Sequence, residues 1–322
     1  MTNFTKHIKA FFTGEKEEQI DPEVQKNKRD FEILKYDGIR AQRMGNVAQA
    51  LKCFAAAVEI SGEYETVGYL VDAYIQHGDL DEAVKHLLNR AESKPEDATN
   101  FIALANICYL QEKYSEMKEY SQKACLLIPN NVHPYLLLAK AERGMKNPLE
   151  AIAYLVKAIC QDEDCIEAYL MRGEVLLELN QYKEAIEDAE SVLAKNSQDE
   201  AALLIRAKAM TATENYEAAE KDYREVTDIN PFNESAYLNL AELLTKQNKI
   251  EKALNCLDEA IDINPAFTKG YHERGKIRFL NNDHDGAAAD LKKELELAPQ
   301  EQGKINGEFD NFKNLYAGNP LG

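Results

Sequence analysis

The sequence predicts an all-α solenoid of tandem helix–turn–helix repeats, and three recurring residue types support that fold class. Small residues recur at a step of 33 once and 34 thereafter, with Met117 filling one gap: Ala50, Ala83, Ala151, Ala185, Ala219, Ala253 and Ala287. Gly45 and Gly78 lie five positions before two of them. Prolines lie twelve positions after five members of the column: Pro95, Pro129, Pro231, Pro265 and Pro299. Because proline cannot continue a helix and glycine permits its left-handed end, each period contains two helices and a turn.

Eight units fit this period, and further columns keep the same phase. The units cover residues 31–63, 64–97, 98–131, 132–165, 166–199, 200–233, 234–267 and 268–299. Position 4 is large: Leu34, Val67, Phe101, Tyr135, Tyr169, Leu203, Tyr237 and Tyr271. Position 8 is small in most units: Gly38, Val71, Ala105, Ala139, Gly173, Ala207, Ala241 and Gly275. Small residues at positions 8 and 20 let the two helices approach, and bulky residues at 4 and 24 fill the space beside them.

A 34-residue period with this pattern resembles the tetratricopeptide repeat over residues 31–299. The resemblance implies a right-handed superhelical α–α solenoid whose function is to hold other polypeptides. It also implies that positions 2, 5, 9 and 12 of the first helices line a concave groove that binds a partner.

The ends of the array are predicted separately. Asp21-Pro22 and Asn147-Pro148 each combine an N-cap residue with proline at the first helical position, so helices are expected to begin there. We interpret residues 1–30 as a helical extension with an amphipathic stripe at Phe4, Ile8, Phe11 and Phe12. The stripe either folds back on the array, is a disordered lead-in, or anchors the chain to a membrane surface or a partner. Residues 300–322 are predicted to form a capping helix, from a stripe at Ile305, Phe309, Phe312 and Tyr316, and a tail.

Composition excludes several classes of function. The formal net charge is -18, and no run of lysine and arginine is present, so nucleic acid is a poor partner. No stretch has the length and apolarity of a membrane span, and the start of the chain lacks a signal peptide pattern, which predicts a cytoplasmic protein. The six cysteines show no metal-ligand spacing and are expected to be buried thiols. No catalytic motif is present, so we expect no enzyme, no cofactor and no metal.

Position 5 is aliphatic in five consecutive repeats. Its residues are Lys35, Gly68, Ile102, Leu136, Leu170, Leu204, Leu238 and His272. An exposed leucine forgoes roughly 1.5–3 kcal/mol of burial free energy, so a column of them requires an explanation. Two remain open: packing between successive first helices, or a strip that binds an apolar ligand.

Positions 9 and 12 are more polar. Position 9 reads Ile39, Asp72, Asn106, Lys140, Glu174, Lys208, Glu242 and Lys276, and its charge alternates from the fourth repeat onward. This alternation predicts a ladder of salt bridges between successive repeats that sets their register. Position 12 contributes Tyr109, Arg143 and Leu177 to the expected groove.

Tetratricopeptide domains that bind the C-terminal carboxylate of chaperones use a lysine, asparagine and arginine clamp. Across repeats six to eight, Asn239 and Lys269 match that pattern, whereas Leu204, Lys208 and Glu273 do not. Arg274 lies one residue beyond the expected arginine, so the clamp is incomplete. The candidate partner-binding residues are Ile102, Asn106, Tyr109, Leu136, Lys140, Arg143, Leu170, Leu177, Leu204, Lys208, Leu238, Asn239, Lys269, His272 and Arg274.

These observations favour an adaptor that binds a peptide or helical segment in the groove, centred on repeats three to six. One alternative is a structural spacer, or a self-associating subunit of a larger assembly and hence a homo-oligomer. A second is a co-chaperone with an incomplete carboxylate clamp.

Overall fold

The computed structural model describes residues 21–298, and these form sixteen α-helices without any strand. Odd-numbered helices are the first of their repeats (A helices) and even-numbered helices the second (B helices). The helices are α1 (Pro22–Arg43), α2 (Val47–Ile60), α3 (Tyr64–His77), α4 (Leu80–Ser93), α5 (Ala98–Leu110), α6 (Tyr114–Leu127), α7 (Val132–Gly144), α8 (Pro148–Gln161), α9 (Ile166–Glu178), α10 (Tyr182–Leu193), α11 (Glu200–Ala212), α12 (Tyr216–Ile229), α13 (Glu234–Lys246), α14 (Ile250–Ile263), α15 (Thr268–Leu280) and α16 (His284–Leu297). The predicted all-α array of eight helix–turn–helix repeats is confirmed.

The helices form two compact units whose boundary lies inside the fourth repeat. The first unit ends at Met145 and contains α1 to α7, whereas the second begins at Lys146 and contains α8 to α16. Each unit has its own hydrophobic clusters, for example around Phe54 in the first and around Tyr223 in the second. The 34-residue period does not mark this boundary, because the sequence pattern continues through it.

Within each unit, small residues pack where the two helices of a repeat meet, as the columns predict. All eight residues of the position-20 column are buried, including Met117. Position 8 lies on the facing A helix, where side-chain size is also limited. Gly38 shows this limit most clearly. A Cβ atom on Gly38 would lie 2.5 Å from the ring of Phe54, which is itself fully buried.

The turn between the A and B helices uses a left-handed residue at position 15 in every repeat. These residues are Gly45, Gly78, Glu112, Lys146, Asn180, Glu214, Asn248 and Asn282, with φ between 56° and 93°. In the sixth repeat the Asn215 N–H donates to the Met210 carbonyl over 2.8 Å, which is the long hydrogen bond of a Schellman motif. Glycine made this turn visible in the sequence only in repeats one and two.

Glu214→Gly is therefore expected to stabilise the second unit by about 0.5–1 kcal/mol. The left-handed conformation costs a residue with a side chain roughly 1–2 kcal/mol, and glycine removes this cost. Part of the gain is lost because glycine raises the conformational entropy of the unfolded chain. Urea unfolding followed by circular dichroism measures the change. The matched Gly45→Ala substitution should destabilise the first unit, and a lower midpoint for Glu214→Gly would contradict the prediction.

Both predicted helix starts are confirmed. Helix α1 begins at Pro22, and the Asp21 carboxylate accepts a hydrogen bond from the Glu23 N–H over 3.0 Å. Helix α8 begins at Pro148. The predicted stripe at Phe4, Ile8, Phe11 and Phe12 lies outside the described residues, as does the predicted capping helix with Ile305, Phe309, Phe312 and Tyr316.

Between residues 21 and 298, none of the helices combines the length and the apolarity that a membrane span requires.

Candidate partner-binding surface

In the first unit, position 5 begins with a lysine that is already paired. Lys35 is buried, and its Nζ donates to Glu63 Oε2 and to Glu65 Oε2, each over 2.8 Å. These hydrogen bonds raise the pKa of Lys35 above its usual range and lower the pKa values of Glu63 and Glu65. Lys35 therefore joins α1 to the start of α3 and is not available as a carboxylate clamp.

This triad predicts a pH dependence of stability. Because the pKa values of Glu63 and Glu65 are lower in the folded chain, their contribution is present above the unfolded-state value and is lost as pH falls through the folded one. Wild-type chain should lose more stability than Lys35→Met between about pH 6 and pH 3. Urea midpoints of the two proteins across this range measure the difference. Parallel curves would show that the triad does not couple protonation to folding.

The second repeat has an arginine where later repeats have an aliphatic side chain. Gly68 occupies position 5, and a Cβ atom there would lie 2.9 Å from Nη1 of Arg90. The Arg90 guanidinium lies 4.1 Å from the ring centroid of Tyr64. Burial raises the pKa of Asp72, at position 9, while the positive charge of Arg90 opposes that rise. The sequence prediction missed Arg90. The signal was Gly68, the one glycine in the position-5 column, which leaves room for the Arg90 side chain.

The other candidate residues of the first unit fall into buried and exposed groups. Leu136 is buried, whereas Ile102 is half-buried against the core around Met117. Leu136 therefore supports packing rather than ligand binding. Lys140 and Arg143 are half-buried. Asn106 and Tyr109 are exposed, and the Tyr109 ring contacts Tyr114 edge to face at 6.5 Å.

In the second unit, the aliphatic residues at position 5 are half-buried. Leu170, like Leu177 at position 12, packs against the core formed by α9, α10 and α11. Leu204 and Leu238 pack against the core around Tyr223. Each therefore contributes to packing and still leaves part of its side chain accessible. Packing accounts for the buried part of each of these side chains. Their accessible parts form an apolar strip along the A helices.

The predicted salt-bridge ladder at position 9 is wrong for the last two repeats. Glu242 pairs with Lys246 over 2.8 Å, and Lys276 pairs with Glu273 over 3.0 Å. Both pairs lie within a single helix. A partner three or four residues away on the same helix is already in reach, so these side chains do not need a neighbouring repeat.

The structure also uses the predicted clamp residues differently. Asn239 Nδ2 donates to the Ser235 carbonyl over 2.6 Å, and His272 Nδ1 lies 3.1 Å from both carboxylate oxygens of the buried Glu294. Arg274 binds Asp258 and Asp290, each over 2.5 Å, with only 13% of its side chain exposed. Arg274 is therefore a packing residue, and its inclusion in the partner-binding set is corrected. Lys269 is exposed.

Arg274 belongs to a repeated ion pair that sequence reasoning missed. An arginine at position 7 binds an aspartate at position 23 in three repeats: Arg172 with Asp188, Arg206 with Asp222, and Arg274 with Asp290. The three aspartates are buried. In repeat seven the same two positions are Leu240 and Cys256, both buried. The signal in the sequence was that positions 7 and 23 change together, from a charged pair in three repeats to an apolar pair in repeat seven. This pattern identifies a structural pair rather than a binding site.

The cysteines differ from the expectation of six buried thiols. Burial raises the pKa of Cys108 to about 11 and that of Cys256 to about 12, so both stay protonated at neutral pH. Cys53 is also buried, whereas Cys125 and Cys165 are half-buried and Cys160 is exposed. In the stretch from residue 21 to 298, no three histidine, cysteine, aspartate or glutamate side chains are grouped to hold a metal ion.

The fold supports a protein–protein interaction scaffold built from helix–turn–helix repeats. Two family models described as tetratricopeptide repeat match the chain. One matches residues 38–98, 136–201 and 170–234, and the other matches residues 210–272, so together they cover more than half of the chain. The chain belongs to the tetratricopeptide repeat family.

The chain is also similar to individual proteins. Anaphase-promoting complex subunit 7 of Mus musculus and of Homo sapiens is 22% identical over 180 residues, 55% of this chain and 32% of each relative. The chain thus spans about a third of the length of these curated relatives. The structure of Pseudomonas aeruginosa pilF has a TM-score of 0.54 at 17% identity, covering 68% of this chain and 99% of that one. A chain of the APC/C hetero-tetramer Cut9–Hcn1 has a TM-score of 0.54 at 15% identity, covering 80% of this chain and 51% of that one. These structural likenesses show the fold.

Proposed function

We propose that the chain is an adaptor whose A helices hold a peptide or helical segment of another protein through an apolar strip. The observation that carries this proposal is in the second unit. Leu170, Leu204 and Leu238 occupy the same position of three successive A helices and are half-buried. One turn further along, each helix presents a charged residue: Glu174, Lys208 and Glu242.

The spacing of this strip constrains the ligand. Packed helices lie about 8–10 Å apart, so successive leucines are separated by roughly that distance. A polyproline II segment advances about 9 Å in three residues and returns to the same face. An α-helix advances about 10 Å in seven residues, again on the same face. A matching ligand therefore carries an apolar side chain at every third or every seventh residue.

Charge adds a second requirement. The chain is acidic, which favours the approach of basic ligands. Locally, the exposed Lys208 lies between Glu174 and Glu242 in the order of the repeats, so the matching ligand alternates in charge beside its apolar side chains. The curated relatives are named as subunits of a multi-subunit complex, which is consistent with holding other polypeptides.

Selection of peptides from a displayed library against the full chain tests the proposal. We expect the selected peptides to show one of the two apolar spacings. Leu204→Asp combined with Lys208→Glu should weaken their binding at least tenfold, because it removes apolar contact and reverses a charge. Lys221→Glu, which changes an exposed charge on the neighbouring B helix α12, is the matched control and should leave binding unchanged.

Two results would contradict the proposal. One is a library that yields no peptide above background with the folded chain. The other is a set of peptides that the double variant and the control bind equally well. Circular dichroism of both variants establishes that they retain the helical fold.

A further inference from the structure

Helix α8 exposes an apolar stripe on the side that faces away from its own core. We call Leu149, Ala153, Val156 and Cys160 the outer stripe of α8, and all four residues are exposed. Leu149 is 65% exposed and Val156 is 40% exposed. Their spacing of four, three and four places them on one face of the helix.

The outer stripe is not needed for the fold of the second unit. The buried residues of α8 are Ala151, Leu155 and Ala158. At 100° per residue these three point roughly opposite to the outer stripe. Packing of α8 within the unit therefore leaves the stripe uncovered, at a cost of roughly 1.5–3 kcal/mol for a side chain as large as Leu149.

In each of the other seven B helices, at least one of the four corresponding positions carries a charge. The corresponding residues are Ala48, Lys52, Ala55 and Glu59 in α2; Asp81, Lys85, Leu88 and Glu92 in α4; Ser115, Glu119, Gln122 and Leu126 in α6; Lys183, Glu187 and Glu190 in α10 with Ala194 directly after it; Glu217, Lys221, Arg224 and Asp228 in α12; Glu251, Asn255, Asp258 and Asp262 in α14; and Asp285, Ala289, Lys292 and Glu296 in α16. Only α8 has no charge there. The absence of charge is thus specific to this helix and not a property of the repeat.

The residues that flank the stripe indicate which partner fits it. Glu150 and Lys157 lie along one edge, both exposed, and Ile152 and Ile159 lie along the other edge, both half-buried. When two such helices pair in antiparallel orientation, like edges meet, so Glu150 of each copy faces Lys157 of the other. In parallel orientation the charged edge would face the isoleucine edge. Charge complementarity therefore selects a second copy of this helix, antiparallel.

We propose that the outer stripe of α8 pairs with the outer stripe of a second copy of this chain, the two helices running antiparallel about a twofold axis. Leu149 then packs against Cys160 of the second copy, and Ala153 packs against Val156 of the second copy. Each layer combines a larger with a smaller side chain, which favours close approach. A single pair of helices falls below the roughly 1,200 Å² of a standard stable interface, so the dimer forms at about micromolar or higher concentration.

Sedimentation equilibrium of the full chain, at concentrations up to about 0.5 mM to reach a weak dimer, tests the pairing. The wild-type chain should dimerise, and Val156→Glu should abolish the dimer. Lys157→Glu should weaken it at least tenfold, because Glu150 would then face glutamate, and Glu150→Lys with Lys157→Glu should restore it. Lys252→Glu, an exposed charge on α14, should have no effect. A wild-type chain that stays monomeric, or a dimer unchanged by both Val156→Glu and Lys157→Glu, overturns the proposal.

A cysteine crosslink tests the orientation. In the antiparallel pair, Leu149→Cys places a thiol beside Cys160 of the second copy, so copper-catalysed oxidation by oxygen should give a covalent dimer with that disulfide, identified by mass spectrometry. Wild-type chain should not crosslink Cys160 to Cys160. The two Cys160 residues lie at opposite ends of the contact, about 16 Å apart at 1.5 Å per residue, beyond the reach of a disulfide. A wild-type Cys160–Cys160 crosslink would show a parallel pair. A monomer whose Cys160 resists alkylation would show that the chain's own terminal segment covers the stripe. Either result overturns the proposal.

Discussion

Replacing Asp222 with alanine is expected to lower the free energy of unfolding of the second unit by about 3 kcal/mol. The Asp222 carboxylate is buried and accepts hydrogen bonds from Arg206 Nε over 2.7 Å and from Arg206 Nη2 over 2.9 Å. Arginine cannot lose its charge, and the pair raises its pKa further. Removal of one partner from a buried ion pair costs about 3–5 kcal/mol. Because the Arg206 side chain keeps 23% exposure, the lower end of that range applies.

Repeat seven supplies the matched control for this substitution. It holds Leu240 and Cys256 at the positions of Arg206 and Asp222, and both are buried. Arg206→Leu combined with Asp222→Cys should therefore recover most of the stability lost in Asp222→Ala, since an apolar pair often replaces a buried ion pair without loss. Urea unfolding gives the free energies, and amide hydrogen exchange shows whether the loss lies in α11 and α12. If the double variant is no more stable than Asp222→Ala, the apolar pair of repeat seven cannot replace the ion pair of repeat six.

Much of the fold follows from the sequence, because repeat packing imposes the same demand every 34 residues. The column that contains Ala219 is small in seven of the eight repeats because two helices approach closely there, so it reveals both helices of a repeat. The turn was harder to identify. Its left-handed position accepts Glu214 as well as Gly78. Only two of the eight turns have glycine there, and glycine was the residue from which the turn was predicted.

The candidate site was predictable only in outline. The period shows which residues share a face of an A helix, but it does not show which side chains arrive there from another helix. Arg90 reaches Gly68 from α4, and Arg274 turns towards Asp258 and Asp290, one residue from the position that the clamp pattern uses. Such contacts depend on side-chain reach and ionic pairing, and neither follows from position in the repeat alone.

The boundary after Met145 was not predictable for a related reason. A repeat pattern records the packing that successive units have in common. The pattern runs through Lys146 with the same left-handed turn position as in the other repeats. Residues that set one junction apart from the rest therefore leave no mark in a column of shared residues.

Gly38→Ala is expected to destabilise the first unit by about 1–2 kcal/mol, although alanine is the better helix former. The new Cβ atom would lie 2.5 Å from the Phe54 ring. That ring is fully buried and stacked on Tyr69 with centroids 5.6 Å apart, so it can move only by displacing its neighbours. Overpacking of a core costs about 1–3 kcal/mol, and a contact as close as 2.5 Å belongs in the upper half of that range. The gain in helix propensity is about 1 kcal/mol, which leaves a net loss of about 1–2 kcal/mol. Chemical denaturation of the two proteins measures the net effect.

The same column provides a control in which the two effects should nearly cancel. A Cβ atom on Gly173 would lie 3.1 Å from Ile205 Cγ2, so a small shift accommodates it and Gly173→Ala should be near neutral. Repeat seven combines alanine with leucine at the positions of Gly38 and Phe54, in Ala241 and Leu257. Gly38→Ala with Phe54→Leu should therefore lose less stability than the sum of its single substitutions. Additive losses would mean that the Phe54 ring is not what makes glycine necessary at position 38.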